Sequence, residues 1–164
     1  MHSTSMSRYL RNAMELILWR HCDAQAGVPD AARPLTPRGR DEASKMAAWL
    51  SRRLAANARI LVSPAIRAQQ TAAALGRPFE TIAALAPGAS VDNVLNAAGW
   101  PDAKGTTVIV GHEPTLGDVA AHLITTGPGA EPLRKGAIAW LVRDPDTKAR
   151  ALLKIAATPA SIGD

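Results

Sequence analysis

"ELILWRHCDA", residues 15–24, joins an unbroken apolar run to a cluster of polar, chemically capable side chains. The run "ELILW" (15–19) is apolar at successive positions rather than at alternate ones. A strand buried on both faces of a parallel sheet reads this way. Two further runs share the pattern, "RILVS" (59–63) and "TTVIVG" (106–111). Between them the spacing predicts helices. Residues 37–55 place Ala43, Met46, Ala47, Leu50 and Leu54 on one face, with Thr36 as N-cap and Pro37 at the first position. Residues 64–75 follow the same plan, with Ser63 capping, Pro64 opening and Gly76 stopping the helix. A third helix is predicted over 114–125, opening at Pro114 and ending before "GPG". A fourth spans Val91 to Ala98. "AIAWLVR" (137–143) and "ALLKIAA" (151–157) read as two strands joined by the turn-rich "DPDTKA". Strands alternating with helices imply a layered α/β fold.

In such sheets ligands bind beyond the carboxyl ends of the strands. Arg20 and His21 follow the first strand, Ser63 and then Arg67 the second, and His112 and Glu113 the third. Two arginines and two histidines therefore share one rim. Paired guanidiniums form an anion clamp matched to phosphate oxygens. A neutral imidazole beside a bound phosphoryl group can attack phosphorus, and nearby positive charge favours the neutral form. A second imidazole can donate a hydrogen bond to the transition state. The constellation points to phosphoryl transfer through a phosphohistidine.

The composition is compatible with this reading. The chain has 164 residues, 47% of them hydrophobic and only 4% aromatic, enough for one core. A single domain is expected over 14–164, after a disordered leader over 1–13 in which His2 has no role; Met14 is a plausible start. The net charge of +5 favours anionic partners. No run of five or six like charges and no aromatic-interleaved basic stripe supports nucleic-acid binding. One cysteine excludes an internal disulfide framework, and with four histidines it makes a structural zinc site improbable. No membrane span or secretory signal is evident, so no membrane partner is expected and the cytoplasm is the expected location.

The motifs "RHCDA", "RPLTPRGRDEA", "ILVSPAIRAQQTA" and "VIVGHEPTLGDV" occur in an order that resembles the histidine phosphatase (phosphoglycerate-mutase-like) superfamily, most closely its short SixA-type phosphohistidine phosphatases. The similarity runs from Glu15 to about Ala157. It implies a three-layer α/β/α sandwich with a mostly parallel central sheet and no large lid insertion. It also implies that His21 is the nucleophile, that Arg20 and Arg67 bind phosphate together with His112, and that neither metal nor cofactor is needed. The implied substrate is a phosphohistidine-bearing protein, with inorganic phosphate as product. Alternatives are a small phosphomonoester handled by the same mechanism, or a phosphoprotein-binding module without turnover. The "LTxxG" helix start, with Thr36 and Gly39, flanks the pocket in the family. Larger members carry an insertion with a glutamate proton donor. Here only about thirty residues separate the second helix from "TTVIVG", so an open site is expected, which suits a protein substrate better than a sugar phosphate. The proton donor is left between Glu113, Glu80 and none; Glu113 is equally suited to starting its helix.

Cys22 stands where glycine or alanine is usual. A cysteine phosphatase loop needs His-Cys, five residues and then arginine, but position 28 is valine. Cys22 is expected to be a small, partly buried pocket-side residue whose oxidation would crowd the site. Asp23 is expected to hydrogen-bond the loop; Lys135 is within reach of flanking the pocket but is not counted into it; Arg33, Arg38 and Arg40 cluster where an acidic partner could meet them, though such charges are most often a solvated face; and His122 is expected in a capping or surface role.

Overall fold

The computed structural model describes residues 13–124 and 131–163. Of the leader expected over 1–13, residues 1–12 with His2 lie outside the described residues, while Ala13 is described and buried; the "GPG" sequence also lies outside them.

Strand β1 (Glu15–Arg20) runs through the middle of a six-stranded sheet. It is followed by helix α1 (Pro37–Ser51), strand β2 (Arg59–Val62), helix α2 (Ile66–Ala73), strand β3 (Glu80–Thr81), helix α3 (Val91–Ala98), strand β4 (Thr106–Gly111), helix α4 (Thr115–Leu123) and the hairpin of β5 (Ile138–Arg143) and β6 (Ala151–Ala157). The sheet order is β3-β2-β4-β1-β5-β6. β3, β2, β4 and β1 pair in parallel, while β5 lies antiparallel to both β1 and β6.

The continuous apolar runs are explained by burial on both faces. Ile17 and Trp19 pack with Val62, Val108 and Val110 against α1 and α2 through Met46, Ala47, Leu50, Ala68 and Ala72. Leu16 and Leu18 point the other way, with Leu61 and Ile109, against Val94, Ala98, Leu116, Val119 and Leu123 of α3 and α4. Successive side chains alternate faces, so a strand between two helical layers has no polar face to spare. The architecture is a three-layer α/β/α sandwich. Between α2 and β4 the chain forms only β3, a short 3-10 turn (Ala83–Leu85) and α3, with no lid insertion. Among the described residues no helix is long and apolar enough to cross a membrane.

Several boundaries differ from the sequence-based expectation. Helix α1 ends at Ser51 rather than at 55, yet Leu54 still reaches the core because its N–H bonds to the Leu50 carbonyl through a tight turn. Helix α2 starts at Ile66, not at Pro64, and its N-cap position is Ala65, in extended backbone with no side-chain cap. Ser63 is not a helix cap; its hydroxyl is engaged with His112. Helix α4 is shorter at both ends than predicted, with Pro114 at the N-cap position. The segment "FETIAAL" (79–85) carries β3 and the 3-10 turn.

The Thr36 cap is present, its hydroxyl accepting the Gly39 N–H at 2.9 Å. The same hydroxyl donates to the Asp23 carboxylate at 2.8 Å, and the Thr36 N–H donates to the Asp23 carbonyl at 3.0 Å. Thus the start of α1 is bolted to the loop that follows β1. Gly39 permits this approach: a Cβ there would lie 2.0 Å from the Asp23 carbonyl oxygen. Gly39→Ala is expected to destabilise the protein by about 1–3 kcal/mol through overpacking against rigid backbone. Thermal melting measures it, and an unchanged melting temperature would refute the close approach.

Candidate active site

Strand register places the site. Arg20 pairs with Gly111 and Val62 with Val110, so His21, His112 and Ser63 emerge side by side at the carboxyl edge. The His21 N–H donates to the Gly111 carbonyl at 3.0 Å, which ties the two histidine-bearing strand ends together. The two imidazole rings lie 5.2 Å apart, centre to centre. Arg67, in the first turn of α2, brings its Nε to 3.4 Å from His21 Nε2.

His21 is held in one tautomer. Its Nδ1 lies 2.8 Å from the Cys22 carbonyl oxygen, an atom that only accepts, so Nδ1 carries the proton. Nε2 then presents a lone pair beside the Arg67 guanidinium. Burial, with the charges of Arg67, Arg20 and Arg33, lowers the His21 pKa to about 4. His112 is lowered to about 3, by burial first and then by His21 and Arg67. Both rings are therefore neutral near pH 7. His112 Nε2 lies 2.7 Å from Ser63 Oγ, and its Nδ1 is buried without a partner among the described residues.

The arginines are anchored differently. Arg67 is almost fully buried and meets Asp30 twice, donating from Nη1 to its carbonyl at 2.8 Å and from Nη2 to its carboxylate at 3.0 Å. Asp30 belongs to a 3-10 turn (Asp30–Ala32) in the β1–α1 loop and also pairs with Arg33 at 3.0 Å. Arg67 holds the Asp30 carboxyl below the usual range, chiefly by this hydrogen bond. Arg20 donates to the Leu133 carbonyl at 3.0 Å, while its Nε is buried and unpartnered. Burial lowers the Arg20 pKa, against the opposing field of Glu113.

Glu113 accepts the Gly117 N–H at 2.7 Å, inside the first turn of α4. Burial raises its pKa. Its carboxylate is thus tied to the helix start. It lines a cavity of about 310 Å³ with Arg20, Pro132 and Leu133. Glu80 lies exposed on β3, at the outer edge of the sheet.

Cys22 is fully buried against Leu35 and Ala43, not partly exposed as expected. Burial, and then the charge of Glu42, pushes its thiol up to about 12, so it stays protonated and unreactive. Room for sulfur exists because residue 136 is glycine: a Cβ there would lie 3.2 Å from Cys22 Sγ. Asp23 does hydrogen-bond the loop, and Lys135 reaches its carboxylate at 3.0 Å. Those two residues line a polar cleft of about 540 Å³ with Arg38, Glu42 and Arg134. His122 is exposed on α4.

The sequence reading missed Asp30 and misplaced Arg33, which joins the site's charge network rather than a solvated face. Their only sequence signal is an acid and an arginine three residues apart in the loop after His21, which is indistinguishable from a surface pair. Among the described residues no cluster of three or more His, Cys, Asp or Glu side chains could hold a metal ion.

Comparison with known proteins converges on one group. Residues 16–88 match the family model of the histidine phosphatase superfamily (branch 1). An uncharacterized protein of Mycobacterium tuberculosis is 39% identical over 102 residues, covering 59% of this chain; the match spans 63% of the relative's length. The phosphohistidine phosphatase SixA of Escherichia coli K12 is 33% identical over 129 residues, covering 73% of this chain and 78% of SixA. A solved structure of the protein histidine phosphatase SixA complexed with tungstate superposes with a TM-score of 0.76 at 28% identity, covering 92% of this chain and all (100%) of that one.

The depressed imidazole pKa values carry a sign. Each unfolded histidine protonates near pH 6.5, whereas the folded rings resist protonation down to about 4 for His21 and about 3 for His112. The unfolded state therefore binds more protons in that window, and stability falls as pH drops from 6.5. NMR titration is expected to show both rings neutral at about pH 5.5, with the melting temperature declining from pH 7 to 4. Titration of either ring near 6.5 would contradict the assigned environment.

Proposed function

This chain belongs to the histidine phosphatase superfamily, in its SixA-like group, and from that membership we propose that it is a metal-independent phosphatase acting on phosphohistidine in a protein. The hydrolase chemistry follows from the family; the substrate and the residue roles are our reading. The observation that carries it is the His21 tautomer, with Nδ1–H on the Cys22 carbonyl and a bare Nε2 beside Arg67.

Arg20 and Arg67 clamp the phosphoryl oxygens, and Arg67 presents its Nε edge where phosphorus must approach. His21 Nε2 attacks phosphorus as the P–N bond to the substrate ring breaks; that ring reacts as the imidazolium form of phosphohistidine, protonated on its other nitrogen, and so leaves as neutral imidazole. Water then attacks phospho-His21, releasing inorganic phosphate and restoring the free ring. His112 donates to a phosphoryl oxygen in both steps. With the departing ring already protonated no strong acid is needed, which agrees with Glu113 being bonded to the Gly117 N–H at the start of α4. Glu113 is better placed to oppose the charge of Arg20 than to protonate a leaving group. The open rim without a lid favours a protein over a small sugar phosphate. SixA, in its tungstate complex, holds a tetrahedral oxyanion that mimics phosphate.

Turnover of a phosphohistidine peptide should exceed that of a generic phosphomonoester, and short-quench mass spectrometry should find acid-labile phosphate on His21. His21→Ala should lose turnover by at least about 10³-fold. Full activity in that variant, or phosphate trapped elsewhere, would sink the mechanism. Preference for the phosphomonoester would select the small-substrate reading, and binding of phosphoprotein without release of phosphate would select the binding module. Dialysis against a chelator is expected to leave kcat unchanged; a loss restored by a divalent cation would refute metal independence.

A further inference from the structure

We infer that Ser63 is a positioning residue that fixes His112 in its Nδ1–H tautomer, so that His112 offers a donor to the phosphoryl oxygens. The inference deepens the phosphatase reading above and rests on it for the identity of the acceptor.

Ser63 is fully buried at the end of β2. Its Oγ accepts the Ala65 N–H at 3.2 Å and lies 2.7 Å from His112 Nε2. A hydroxyl has one hydrogen to give. Among the described residues, His112 Nε2 is the acceptor within reach of that hydrogen. If the hydroxyl donates, Nε2 is bare, and the proton of the neutral ring sits on Nδ1. The reverse arrangement, Nε2–H donating to Oγ, strands two buried groups: the hydroxyl hydrogen has no acceptor, and the Nδ1 lone pair has no donor. The first arrangement leaves one group unpaired, Nδ1–H, in place of two; each such group carries a desolvation penalty, so the first is favoured.

The consequence reaches the chemistry. Ser63 occupies Nε2, so Nδ1 is the ring nitrogen without a hydrogen-bond partner among the described residues, and the one that the phosphatase reading sets against a phosphoryl oxygen. Only as N–H can it stabilise an anionic oxygen. A bare Nδ1 would repel the same oxygen with its lone pair. Imidazole in water prefers the Nε2–H form, so the tautomer has to be imposed by a neighbour. Other histidine sites show the same dependence on a second group that orients the ring. The register of β2 against β4 supplies the geometry, since Val62 opposite Val110 brings Ser63 level with Gly111 and His112.

The test is nitrogen-15 NMR of the His112 ring in the full chain, with steady-state kinetics on phosphohistidine peptide. Wild-type protein should show protonated Nδ1 and bare Nε2. Ser63→Ala should shift the ring toward Nε2–H and lower kcat by about 10²-fold, with a smaller change in KM. Ser63→Thr, which keeps the hydroxyl, should restore both the tautomer and kcat. Protonated Nε2 in the wild type overturns the inference, as does a folded Ser63→Ala with unchanged tautomer and kcat. The wild-type spectrum decides the matter even if the alanine variant does not fold. A wild-type chain with protonated Nδ1 that releases no phosphate would overturn the phosphatase reading alone and support the tautomer assignment.

Discussion

Burial of β1 on both faces is the constraint from which the remainder follows. The strand lies between β4 and β5, with one helical layer above and another below. Leu16 and Leu18 are spent on one core, Ile17 and Trp19 on the other. Polar chemistry can begin only where the strand leaves the sheet, at Arg20 and His21. Parallel pairing then aligns the neighbours, because β2 and β4 must end at the same edge to keep their own apolar residues inside. Hydrophobic burial thereby sets the spacing of groups that are themselves polar.

The rim would be unstable as a bare collection of buried cations. An unpaired buried charge costs several kcal/mol, on the order of a small protein's margin of stability. The loop after β1 returns to address this. It pairs with itself at Ala24 and Leu35, and its 3-10 turn delivers Asp30 to Arg67. The segment before β5 serves Arg20 through the Leu133 carbonyl, and Glu113, just after β4, opposes its charge. Both arginines are thus fixed in position, and their charge adds to burial, the larger cause, in holding the two imidazoles neutral. The same field that would bind an anion favours the neutral form of His21.

Cys22 shows how a departure from a family pattern is absorbed. A thiol beside His21 invites a redox reading. Here it sits in a dry pocket with Leu35 and Ala43, opposite a glycine that leaves it space. Gly136 also adopts a positive φ of 78° and donates its N–H to the His21 carbonyl. One backbone position therefore serves both the packing of sulfur and the hold on the segment that carries His21.

Amino-acid order by itself determined the layered α/β class, the helices and central strands to within a few residues, and the convergence of Arg20, His21, Arg67 and His112 on one edge. It could do so because those features rest on local periodicity and on strand ends, both written in consecutive residues. It also carried the Thr36 cap, a contact spanning three positions. The tertiary structure alone decided the rest. Ser63 looks like a helix cap in sequence, because serine before proline satisfies that local rule, but His112 lies forty-nine positions away and competes for its hydroxyl. Asp30 and Arg33 look like surface charges until the loop folds back onto Arg67. Cys22 looks half-exposed until Gly136, more than a hundred residues later, closes over it. Each of these depends on which distant group occupies the space nearby, and pairing across the sheet, not neighbouring sequence, settles that.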